Sequence, residues 1–201
     1  MSPAQNRLRL RPRTRIAKRA TIASSIASLG FALCLTVPWS TLRASTDCSS
    51  LDVELHDSTE FTKVECDEGS FQNGDLFGSF ESISARNSHS VYAIRHEIAG
   101  NRTYIIRTDP QTILGSSFSK SESWSTAPGG NGFAVARFKG WLKGVPDLPF
   151  SCFGFARYSG HVDRSTGYRH GLFGFYCDAQ PDGISDAETN RLIQALQLHF
   201  E

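Results

Sequence analysis

Two segments near the C-terminus, Phe150 to Tyr158 and His170 to Cys177, constrain the fold more than any other feature of the chain. Both are rich in aromatic residues and read as strands. Laid antiparallel with Cys152 opposite Cys177, they set Gly154 against Phe175, Ala156 against Phe173 and Tyr158 against Gly171. On the other face Phe155 meets Gly174 and Phe153 meets Tyr176. Small residues face large ones at nearly every step. Cross-strand pairs are the units of sheet stability, and a ring over an opposing glycine covers its bare backbone. One register therefore accounts for both the cysteines and the glycines, and it predicts a Cys152–Cys177 disulfide.

The front of the domain predicts a second bridge. Leu51, Val53 and Leu55 alternate with Asp52, Glu54 and His56, as in a half-buried strand. Asp57-Ser58-Thr59 supplies turn residues and Phe61 to Cys66 returns, so Cys48 and Cys66 lie symmetrically about the turn. The expected pairs are Cys48–Cys66 and Cys152–Cys177. Zinc is the rival use of four cysteines, but no pair has the C-x₂₋₄-C spacing of a metal site.

Disulfides imply an oxidising compartment, and the N-terminus agrees. Residues 1–46 contain no Asp or Glu. Arg7, Arg9, Arg11, Arg13, Arg15, Lys18 and Arg19 precede an uncharged, apolar run from Ala20 to Trp39. A basic region followed by an apolar run reads as a secretory signal, with Ala44 suited to the last position before the cut. Two alternatives compete: an uncleaved anchor crossing the membrane through residues 20–39, and a mitochondrial transit peptide. The expected division is a leader over 1–46 and one exported domain over 47–201, secreted or periplasmic, or held outside the cytoplasm by the anchor.

Eight of the 21 Lys and Arg lie in the leader and none of the 20 acids, so residues 47–201 carry 13 bases against 20 acids, a net charge of −7. Nucleic acid is thereby excluded as a partner, because it demands basic surface. Residues 47–81 hold ten acids and one base, Lys63, which makes an acidic front able to attract cations or a basic partner.

Val91 to Ile98 and Thr103 to Thr108 are expected to form a central hairpin, with Ile98 opposite Tyr104 and His96 opposite Ile106. Residues 67–90 read as turns and short strands, 109–132 as a long polar connection, Phe133 to Phe138 as a strand, and Gly140 to Pro149 as a loop. The chain closes with a helix. Ser185 and Glu188 form a capping box, and Leu192, Ile193, Leu196 and Phe200 make one apolar face. The composite is α+β: a predominantly antiparallel sheet of about six to eight strands, stapled by disulfides, with one C-terminal α-helix packed on a face.

Catalytic motifs are missing. The chain has no G-x-S-x-G elbow and no H-E-x-x-H, and both expected disulfides together consume every cysteine after the leader. The most polar constellation joins the last two strands: His161, Asp163, Arg164, Arg169 and His170. It is a candidate for ligand binding, or for a small hydrolase in which Asp163 orients an imidazole. Trp124 and Trp141 flank a strand and could rim an aromatic groove. No cofactor or metal is read from the sequence. The expectation is a non-catalytic binding or envelope-associated module with a protein or small-molecule partner. The alternatives are an exported hydrolase built on His161, Asp163 and His170, and a membrane-anchored accessory subunit.

Overall fold

A computed structural model describes residues 42–56, 58–145, 148–162, 166–179 and 183–199. Along the chain the strands are β1 (Leu42–Ser45), β2 (Val53–Leu55), β3 (Lys63–Asn73), β4 (Leu76–Arg86), β5 (Ser90–Ala99), β6 (Ile105–Ile106), β7 (Phe118–Ala127), β8 (Ala134–Leu142), β9 (Phe150–His161), β10 (Gly167–Asp178) and β11 (Leu196–Leu198). The helices are α1 (Pro110–Leu114) and α2 (Asp186–Gln194). The large sheet runs β1-β3-β4-β5-β10-β9-β8-β7, with β6 also paired to β10, and a small sheet pairs β11 with β2. Every pairing is antiparallel. The fold is the expected α+β arrangement. Among the described residues no helix is long and apolar enough to cross a membrane, and the candidate anchor at 20–39 lies outside them.

The β9–β10 hairpin adopts the register read from its glycines, with Cys152 opposite Cys177, Gly154 opposite Phe175 and Phe155 opposite Gly174. The same device recurs in β3 and β4, where Gly69 faces Phe80 and Phe71 faces Gly78. Residues 67–90 are therefore not turns and short strands. As far as Arg86 they belong to a hairpin of two 11-residue strands about Gly74-Asp75, and Gly74 takes the positive φ of 59° that the tight turn needs. Ser, Asp and Glu on its wetter face obscure the pattern.

Both expected disulfides form, Cys48–Cys66 and Cys152–Cys177. The front hairpin that predicted the first does not form. Cys48 lies in a 3₁₀ turn, β2 pairs with β11, and β3 pairs with β1 and β4. Nor does the central hairpin form, because both edges of β5 are taken by β4 and β10. The following segment instead continues beside β10, with Ile105 opposite Tyr168 and Ile106 opposite Gly167. The polar stretch 109–132 contains α1 and β7, and Gly140, Trp141 and Leu142 extend β8 rather than begin a loop.

Alternation along the strands gives the sheet two apolar faces. On one, Ile83, Tyr92, Ile94, Phe153, Phe155 and Leu172 pack under Leu192 and Ile193 of α2 and Val53 of β2. Ser185 caps α2 by accepting from the Glu188 N–H at 3.1 Å. The helix ends at Gln194, so Leu196 belongs to β11 and not to the helical face, because its backbone bonds to β2. Phe200 lies outside the described residues. On the other face Phe138, Phe150, Phe175 and the Cys152–Cys177 bridge pack under Leu114 and Phe118.

Candidate functional site

Past the end of each apolar core, the same strands carry polar residues. On the α1 side, Arg95 and Glu97 stand two apart on β5 and so point the same way. The Arg95 Nε–H donates to Glu97 Oε1 at 2.8 Å, and the two side chains are only 6% and 7% exposed. The guanidinium lies 3.9 Å above the Phe80 ring, which stabilises the cation in a site poor in water. Burial raises the Glu97 carboxyl above its usual range, and the Arg95 charge and hydrogen bond oppose that rise.

This pair lines a cavity of about 520 Å³. Phe173 and Tyr158 come from β10 and β9, while Ile105 and Ile106 come from β6 and Ile113 and Leu114 from α1. Tyr158 fixes one wall: its hydroxyl donates to the Thr108 carbonyl at 3.0 Å and accepts from the Thr108 N–H at 3.1 Å. Asp109 caps α1, accepting from the Thr112 N–H at 2.9 Å and the Thr112 hydroxyl at 2.8 Å. These bonds hold the Asp109 carboxyl below its usual range. Tyr104 and Ile106, at 42% and 63% exposed, are large apolar side chains at the rim. Apolar walls with a few convergent polar groups are the normal chemistry of a ligand pocket.

On the α2 side, Glu81 of β4 stands directly opposite His96 of β5. His96 is fully buried, with Nδ1 3.3 Å from Glu81 Oε2 and Nε2 3.1 Å from His170 Nδ1. The two imidazoles are nearly parallel, at 14°. Burial first, and then His96, lower the pKa of His170 below the usual histidine value. The Asp52 N–H donates to Glu81 Oε2 at 3.0 Å, and one ligand atom each from Asp52, Glu81 and His96 lie within 4.8 Å of one another.

Of the residues expected to gather at the last hairpin, the described ones, His161, Arg169 and His170, are spread out. His161 is exposed at the end of β9, edge-on to Tyr168, while His170 turns inward to His96. Arg169 donates to the Gly100 carbonyl at 3.0 Å. Asp163 and Arg164 lie outside the described residues. Trp124 stacks on Phe138 at 3.9 Å and lines a second cavity of about 500 Å³ with Phe133 and Val135. Trp141 takes the Lys120 ammonium over its ring at 4.4 Å, on the opposite side of β8 from Phe138, so the two tryptophans do not share a groove. Arg95, Glu97, Glu81 and Asp52 escaped the sequence reading, since residues scattered over several strands leave no local spacing. The one available signal was a buried-type strand carrying Arg95-His96-Glu97 in succession.

No protein-family model, curated protein or solved structure matches this chain.

Proposed function

We propose that this chain is an exported, non-catalytic binding module that takes a small amphipathic molecule into the cavity beside Arg95 and Glu97. The observation that carries the reading is a buried ion pair set in the wall of an otherwise largely apolar cavity of about 520 Å³. A buried ion pair contributes little to stability compared with apolar packing of the same volume, so its use is better sought in recognition. Arg95 and Glu97 neutralise each other. The head group they suit is therefore uncharged and hydrogen-bonding, a hydroxyl or an amide, with an apolar body against Ile105, Ile106 and Phe173. The basic, acid-free leader and the two disulfides support export.

The test uses N-phenyl-1-naphthylamine as a fluorescent probe, displaced by a series of long-chain alcohols and amides. Saturable binding is expected. Ile106→Asp, at an exposed rim position, weakens it about tenfold, equivalent to roughly 1.4 kcal/mol of lost apolar contact. Binding that is unsaturable, or unchanged in this variant, removes the reading. Turnover of an ester or glycoside that His161→Ala abolishes would replace it with the hydrolase. N-terminal sequencing of the native protein decides the membrane question, since a start near Ser45 rules out the anchored subunit.

A further inference from the structure

We propose that Asp52, Glu81 and His96 form a binding site for a zinc-class divalent cation, on the opposite side of the sheet from the apolar cavity. Three donors of suitable type converge there: two carboxylates and one imidazole. Residues 52, 81 and 96 lie 29 and 15 positions apart, so the sheet alone assembles them.

The separation of His96 and Glu81 fits a small tetrahedral ion, and the Asp52 ligand atom lies within 4.8 Å of both. Zinc–nitrogen and zinc–oxygen bonds of about 2.0–2.1 Å place neighbouring ligands about 3.3–3.4 Å apart. His96 Nδ1 and Glu81 Oε2 lie 3.3 Å apart, which is long for a charge-assisted hydrogen bond. Both residues are held at directly opposed positions of central strands, so their separation is set by the backbone ladder. Asp52 comes from outside the large sheet. Its N–H bonds to Glu81, and its carbonyl accepts from the His199 N–H at 2.8 Å, so the backbone bearing the third ligand is fixed at both ends. Asp52 is only half-buried, which leaves a route for a hydrated ion, and the ten acids of residues 47–81 favour its approach.

The other ring nitrogen completes the case. A metal-bound histidine ordinarily donates its second N–H to an acceptor that fixes tautomer and ring orientation. With a cation on Nδ1, His96 carries its proton on Nε2 and donates it to His170 Nδ1 at 3.1 Å. His170 is thus a positioning residue. A fully buried imidazole as ligand favours zinc, cobalt or nickel over calcium and magnesium, which prefer oxygen. Three protein donors leave a fourth position for water.

The experiment uses tag-free, chelator-treated protein with both disulfides intact, titrated with zinc by calorimetry and with cobalt by visible absorption. One equivalent of zinc is expected to bind, and cobalt to give the intense absorption of a tetrahedral site. Asp52→Asn, at a half-buried position outside the apolar core, should abolish that absorption and weaken zinc by more than the about 10–100-fold typical of losing an outer partner. His170→Gln should weaken zinc within that range and shift the cobalt bands, which a merely structural histidine would not do. His161→Ala should change neither. The proposal fails if zinc does not bind at one equivalent. It also fails if Asp52→Asn and Glu81→Gln bind zinc within twofold of the parent, or if His161→Ala removes the site.

Discussion

Arg95 and Glu97 are bonded to each other at 2.8 Å inside the wall of a cavity, two residues apart on one strand. Removing one partner leaves the other charge buried and uncompensated. Arg95→Met should therefore lower stability by about 3–5 kcal/mol, whereas Arg95→Met combined with Glu97→Leu should return to within about 2 kcal/mol of the parent. Urea denaturation of the three proteins checks this. The double variant should still fail to retain the polar-headed ligands that displace the probe from the parent.

The Cys152–Cys177 bridge closes a loop of 25 residues between the two most central strands of the C-terminal half. Replacing both cysteines by alanine should cost about 3–3.5 kcal/mol in the chain-entropy picture, or roughly 6–14 °C in Tm for a domain of this size. Calorimetry under non-reducing conditions measures it.

Gly174 sits where Phe155 crosses it. A Cβ there would lie 2.3 Å from the Ala93 carbonyl oxygen and 2.6 Å from the Phe155 ring. The carbonyl belongs to the neighbouring strand and cannot move away alone. Gly174→Ala should destabilise by about 1–3 kcal/mol. Gly115→Ala, which meets nothing within 4 Å, should be tolerated, and thermal melts distinguish the two.

Asp109 accepts from Thr112 at the start of α1, and this holds its carboxyl below the usual value. A depressed folded-state pKa means that the unfolded chain binds the proton first as pH falls. The contribution is present above the unfolded value, near 3.8, and is lost as pH drops through the lower folded value. Carbon-detected NMR should find Asp109 titrating below free aspartate. Thr112→Val, which removes the hydroxyl donor, should move it part of the way back.

Much of this molecule was legible because its signals are local. The N-cap bond from the Glu188 N–H to Ser185 lies within one turn, and the β9–β10 register is written in adjacent glycines and rings. Symmetry about a turn gave the right partner for Cys48 through a hairpin that does not exist. Cys48 reaches Cys66 because the chain makes a 3₁₀ turn beside β3.

The candidate sites were not legible in this way. Glu81 meets His96, and His96 meets His170, through two different strand pairings, and the cavity gathers side chains from β4, β5, β6, β9, β10 and α1. Taken alone, the sequence determined the antiparallel α+β class, the two disulfides and the capped helix, since each rests on patterns within a strand, a hairpin or a helical turn. Tertiary structure decided which edges pair, and with them which polar residues stand together. An edge is occupied by whichever strand buries the most apolar surface there, and that competition is settled by the whole sheet at once.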